Sequence, residues 1–232
     1  MGDEKHDLIV FSAGAVAPPL QKAVEIFEKT HGDKCGMRIN KPGVLFDEIS
    51  RGDRADIICT GAEYMLDEGT EAGLVDGDSR RSLGLRRSAI IVPLGNPGRI
   101  HTIEDLCREG VRIGIATEGC LKGVWDEVAS RAGLTDAIRK NIVYRADSCG
   151  SVMALVNTQK AEGIFGWSAF AKLWPQTSEA VELRDEHQIF RSTVISVVRS
   201  SKNKERAQTL IEFLASPEVD EIYTSLGWIR KR

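Results

Sequence analysis

Short apolar runs rich in β-branched residues alternate with amphipathic stretches along most of the chain, and this alternation most narrows the folds open to it. A strand buried on both faces reads as a continuous apolar run, whereas a helix with one buried face repeats every three to four residues. Asp7-Leu8-Ile9-Val10-Phe11 reads as such a strand, and Ser12-Ala13-Gly14-Ala15 as the small-residue turn after it. Pro18 and Pro19 then sit where a first helical turn tolerates proline. Leu20, Val24 and Phe27 mark one buried helix face, with Ala23 and Ile26 beside them, and His31-Gly32 ends the helix. A strand at 36–40, a helix at 44–51 with Leu45, Phe46 and Ile49 inward, a strand at 55–59, and a helix through Tyr64, Met65 and Leu66 ending near Gly69 continue the series. Such a β-α-β-α-β-α order predicts a parallel sheet covered by helices.

Ser88 to Pro93 reads as a further strand, followed by the loop signal Gly95-Asn96-Pro97-Gly98. The alternation then restarts. Thr102-Ile103-Glu104-Asp105 is a helix-start signature. Strands at 111–116, 141–146 and 163–165 flank helices at 121–131 and 151–159. A β-rich stretch at 189–200 precedes helices at 204–215 and about 217–226. The expected fold class is α/β, with two Rossmann-like βα domains joined by crossing hinge strands near 87–93 and 189–199. The first domain is discontinuous, 1–88 plus 195–232, and the second is the insert 89–194. Ligands in such sheets bind beyond the carboxyl ends of strands, and pockets favour domain interfaces, so a ligand cleft is expected between the two.

Composition removes several functions. The chain has 232 residues, 42% hydrophobic and 28% charged, as in an ordinary globular protein. Its 31 basic against 34 acidic residues give a net charge of −3, without the basic excess of a general nucleic-acid binder. The start, Met1 to Asp7, is polar and acidic, and the first apolar run, Leu8 to Phe11, is four residues long. No secretory h-region and no membrane span is read in it, as would also hold for a mature chain without its leader, and Gly2 lacks the Ser or Thr context of an acylation signal. G-x-S-x-G, Walker A and H-E-x-x-H motifs are missing, and the first turn lacks the glycine spacing of a dinucleotide site, so no cofactor is expected. His6, His31, His101 and His187 are scattered and read as surface loop residues.

The five cysteines are an odd number, which leaves at least one thiol free or paired outside the chain. Cys59 ends a strand, and Cys120 and Cys149 each precede a helix. Three readings are open: a soft-metal site of all three, a Cys120–Cys149 disulfide in an oxidising compartment, or small buried hydrophobes. The last reading suits Cys35 and Cys107 best.

Four turns precede helices: Ser12-Ala13-Gly14-Ala15, Pro42-Gly43-Val44, Glu118-Gly119-Cys120-Leu121-Lys122-Gly123 and Asp147-Ser148-Cys149-Gly150-Ser151. A helix start leaves up to four N–H groups without intrahelical partners and carries a partial positive charge. Several such starts can hold an anion without net positive charge, and small residues let it reach the backbone. One such turn is an ordinary cap; four in paired domains point toward an anion.

These segments resemble the molybdate-binding receptors of ABC importers, within the type II periplasmic solute-binding proteins. Ile9-Val10-Phe11-Ser12-Ala13-Gly14-Ala15 is similar to the family's first strand and ligand loop. Leu45-Phe46-Asp47-Glu48-Ile49-Ser50-Arg51-Gly52 with Ala55-Asp56-Ile57, Ser88 to Pro93, Met153-Ala154-Leu155-Val156, Gly163-Ile164-Phe165, Ser216-Pro217-Glu218 and Leu226-Gly227-Trp228 extend the likeness over nearly the whole chain. The resemblance implies a tetrahedral oxyanion held by hydroxyl and backbone N–H donors. The pattern departs where it matters: the first loop's hydroxyl falls on Ala15, the second loop's serine on Pro42 and the family's tyrosine on Gly166, while Lys122 adds a full charge.

The expected function is therefore the extracytoplasmic receptor of an ABC importer, not an enzyme, closing by a hinge on a molybdate- or tungstate-like anion. Ser12, Ala13, Ala15, Gly43 and Val44 would hold it from one side, and Lys122, Gly123, Cys149 and Gly150 from the other, with Trp167 as an aromatic wall. The implied partners are the small anion and the importer's permease, the location periplasmic or otherwise extracytoplasmic, and the state monomeric. The alternatives are a receptor for an organic anion or a thiol-binding metal species, a cysteine-dependent enzyme using Cys59, Cys120 or Cys149, and the effector-sensing domain of a regulator that borrows this fold.

Overall fold

The computed structural model describes residues 6–230; the start at Met1–Lys5, read above for leader and acylation signals, lies outside the described residues. In chain order the first elements are β1 (Leu8–Ala13), α1 (Ala17–His31), β2 (Cys35–Asn40), α2 (Pro42–Ser50), β3 (Ile57–Thr60), α3 (Glu63–Glu71) and β4 (Arg81–Pro93). Next come β5 (Ile113–Ala116), α4 (Val124–Arg131), α5 (Thr135–Arg139), β6 (Ile142–Ala146), α6 (Cys149–Asn157), β7 (Gly163–Trp167), α7 (Ala169–Leu173) and β8 (Ser178–Glu182). The last are β9 (Phe190–Val197), α8 (Lys204–Ala215) and α9 (Asp220–Ser225). The chain is an α/β protein that divides into two compact units. Unit 1 comprises Met1–Leu85, Ser192–Ser225 and Ile229–Arg232, and unit 2 comprises Arg86–Arg191 and Leu226–Trp228.

In unit 1, β1 is buried along its whole length and pairs in parallel with β2 and β3, and β9 lies antiparallel to β3. Both faces of β1 are covered, which is why its sequence is apolar without alternation. α1 buries Leu20, Ala23, Val24 and Phe27, and stops at Gly32, whose φ of 81° is the left-handed cap that glycine adopts without strain. Ile26 is exposed rather than packed, because at about 100° per residue it falls on the flank of that stripe. Just before β3, Asp56 is 1% exposed, and its carboxylate accepts the Ile9 N–H at 2.9 Å, the Ser201 Oγ–H at 2.6 Å and the Asn203 Nδ2–H at 3.1 Å. One buried acid thus fastens β1 to the segment after β9.

In unit 2, β5 lies between β6 and β7, parallel to both, and β4 runs antiparallel to β7 and β8. The helix expected at 121–131 is shorter: a 3-10 turn covers Gly119–Leu121, Gly123 takes φ 76°, and α4 begins only at Val124. The second C-terminal helix likewise opens with a 3-10 turn at Pro217–Val219 before α9. α5, α7 and β8 were not anticipated; each is five residues long, too short to show a period. His187 is buried rather than on the surface. No helix among the described residues is long and apolar enough to cross a membrane.

Candidate functional site

Parallel pairing sets the ends of neighbouring strands side by side. In unit 1 the register Ser12↔Ile39 and Ala13↔Asn40 brings the turn after β1 next to the turn after β2. Ser12 is buried, its Oγ donating to the Ala13 carbonyl at 3.2 Å, and Ala13 is buried with it. Gly14 is exposed and Ala15 half-buried, in the 3-10 turn that leads into α1. In α2, Pro42 occupies the first turn, where its missing N–H costs the helix nothing. The first intrahelical bond runs from Leu45 N–H to the Lys41 carbonyl at 3.1 Å, and no side chain caps the start. The N–H groups of Gly43 and Val44 therefore fall in the uncapped first turn, and both residues are exposed.

In unit 2 the register Ala116↔Ala146 does the same for the turns after β5 and β6, and Thr117 ties them by donating both its N–H (2.8 Å) and its Oγ (3.1 Å) to the Ala146 carbonyl. Lys122, Gly123 and Gly150 are exposed, and Cys149 is buried. Ser148 caps α6 by accepting the Ser151 N–H at 3.1 Å. The helix starts are not equivalent. α4 carries Asp126 and Glu127 in its first turn, which already answer its dipole, whereas α1, α2 and α6 carry no acid there. An anion is favoured at α2 and α6 and disfavoured at α4, while at α1 Pro18 and Pro19 have no N–H and the Ala17 N–H is bonded to the Gly14 carbonyl, so donors there come from the preceding 3-10 turn. Gly123 is the weakest of the backbone candidates and Lys122 would act through its side chain.

Trp167, the expected aromatic wall, is fully buried and belongs to a cluster beneath these loops. Its Nε1–H donates to Cys120 Sγ at 3.2 Å, Arg86 Nη1 donates to the same sulfur at 3.3 Å, and Cys149 Sγ lies 2.9 Å from it. The Arg86 guanidinium is wholly buried, 4.8 Å from the Trp167 ring centre and 5.9 Å from that of Trp228. Burial alone would push the Cys120 thiol up, but the hydrogen bond from Cys149, the Arg86 charge and the Trp167 N–H outweigh it and bring it down to about 5. Cys149, facing that sulfur and largely buried, is held well above the ordinary thiol range. Cys35, in contrast, is pushed up to about 12 by burial and then by Glu28 and its acidic neighbours.

Sequence reasoning missed Arg86, which follows Leu83-Gly84-Leu85 in a strand with little to mark it as buried. The reading of Cys59, Cys120 and Cys149 as one metal site is not supported: no group of three or more His, Cys, Asp or Glu able to hold a metal is found among the described residues. A side chain at Gly166, where the resemblance would put a tyrosine, would meet Ile91 Cγ1 at 2.7 Å and Phe170 at 3.2 Å, so the packing of β7 favours the glycine.

A family model described as bacterial extracellular solute-binding protein matches residues 8–229. A comparison with curated protein sequences finds no match. Among solved structures, Peb3 from Campylobacter jejuni is 22% identical with a TM-score of 0.84, covering 97% of this chain and 100% of its own. PEB3 bound to L-phospholactate gives 23% identity, a TM-score of 0.84 and the same coverage. The periplasmic molybdate-binding protein of Azotobacter vinelandii gives 16%, 0.80, 97% and 100%. The sulfate-binding protein SubI of Mycobacterium tuberculosis gives 13%, 0.80, 95% and 86%. At these identities the likeness establishes the fold.

Proposed function

The chain belongs to the bacterial extracellular solute-binding protein family, and from that premise we propose that it is the extracytoplasmic receptor of an ABC importer for a small tetrahedral oxyanion. The observation that carries the anion class is the pair of acid-free helix starts at α2 and α6, with the small-residue 3-10 turn that precedes α1. Ser12, Ala13, Ala15, Gly43 and Val44 in unit 1, and Lys122, Gly123, Cys149 and Gly150 in unit 2, would together contact the ligand and stabilise a closed state. Trp167, being buried, would support the second set rather than touch the ligand. The permease is the implied partner, and binding requires no chemical step.

Molybdate or tungstate is the simplest ligand of this class, and the fold is shared with a molybdate-binding protein. A second reading is favoured by the residues themselves. Ala15 and Pro42 supply no hydroxyl, and Lys122 supplies a full charge, a combination suited to a phosphorylated carboxylic acid; PEB3 has been captured with L-phospholactate. A thermal-shift series with molybdate, tungstate, sulfate, phosphate, phospholactate and ferric ion decides between them. A ligand at one hundred times its Kd stabilises the folded chain by about 2.7 kcal/mol, a shift of several degrees. Stabilisation by ferric ion alone, or by none of the six, overturns the anion proposal.

A further inference from the structure

We propose that Cys120 and Cys149 form a redox-active dithiol that closes to a disulfide, joining the 3-10 turn after β5 to the first residue of α6. Their sulfurs are 2.9 Å apart, against about 2.05 Å in a disulfide, so closure needs only a small side-chain movement. The surroundings assign different parts to the two thiols. Arg86 Nη1 and Trp167 Nε1 both donate to Cys120 Sγ, which makes it the sulfur that carries negative charge. Cys149 keeps its proton and faces that sulfur, as a resolving thiol must. Neither role is used in binding an oxyanion.

The oxidant is an external disulfide. The Cys120 thiolate attacks one of its sulfurs and expels a thiolate, leaving Cys120 in a mixed disulfide. Cys149 then attacks the Cys120 sulfur, its proton passing to the second departing thiolate. Two protein thiols and one external disulfide become one protein disulfide and two external thiols, with two electrons passed to the oxidant. An extracytoplasmic chain meets such oxidants, but the chemistry stands whatever ligand is bound.

The test uses the reduced full chain and oxidised glutathione. Thiols are counted by maleimide labelling in denaturant and mass spectrometry. The count should fall from five to three, with peptide mapping joining Cys120 to Cys149, and a reductant should restore all five. Trp167 and Trp228 emission should fall on oxidation and recover on reduction. Cys149→Ser should stop at one glutathione on Cys120, whereas Cys120→Ser should keep its remaining thiols. Five thiols persisting in the wild-type chain, or a bond mapped to any other pair, overturns the proposal. The wild-type count and map stand if either variant fails to fold, and neither depends on an anion binding.

Discussion

The sulfur of Cys120 is a place where a single proton decides the state of a buried charge. Three donors converge on it, and its thiol is brought down to about 5 in the folded chain, against an ordinary value near 9. A group lowered on folding contributes stability that is fully present above its unfolded value and is lost as pH falls through the folded one. In reductant, the melting temperature of the native chain should therefore exceed that of Cys120→Ser most near pH 9, and the gap should shrink toward pH 5. A gap constant across that range would mean that Cys120 does not titrate there. Cys149 works in the opposite sense, since its raised thiol loses its contribution only as pH rises above 9. Cys35, pushed up to about 12, should alkylate far more slowly than free cysteine at pH 8, because only the thiolate reacts. Little of this was legible in the sequence beyond the placement of Cys120 and Cys149 on helix-start turns and their pairing as one of three open readings. The donors lie 34 and 47 positions away from Cys120, and no local pattern announces them.

At the scale of elements, the long strands and helices could be read because each is encoded within its own few residues. β1 is an unbroken apolar run and α1 a clear stripe ending in glycine. The shorter pieces could not, since each is completed by a neighbour: β8 pairs with β4, α5 packs on α4 and α7 on β8. Two substitutions probe what holds the elements together. Gly166→Ala should cost about 1–3 kcal/mol in urea unfolding, because the new methyl meets Ile91 at 2.7 Å, and Gly166→Tyr should prevent the unit from folding. An alanine variant of native stability would show that β7 has slack there. Asp56→Ala should cost about 2–4 kcal/mol, since the Ile9 N–H and the Ser201 and Asn203 donors lose a buried acceptor. Asp56→Asn, which keeps one acceptor oxygen, should cost less, and equal losses for both variants would contradict this account.

For the whole molecule, the net charge of −3 excluded a general polyanion binder and left open a small anion, because helix starts provide local donors that a charge count does not register. If the ligand engages both units, an anion that raises the melting temperature should also compact the chain in small-angle scattering, and Gly43→Pro, which removes a first-turn N–H, should weaken that anion at least several-fold with little change in the unliganded melting temperature. Unchanged affinity would remove α2 from the site. The α/β class and the order of its main strands follow from the sequence alone, because apolar runs and helical stripes are local properties of the chain. Which charge is buried, which donors surround Cys120 and why β7 needs its glycine were decided only by tertiary structure, because each depends on groups distant in sequence that packing brings within a few ångströms.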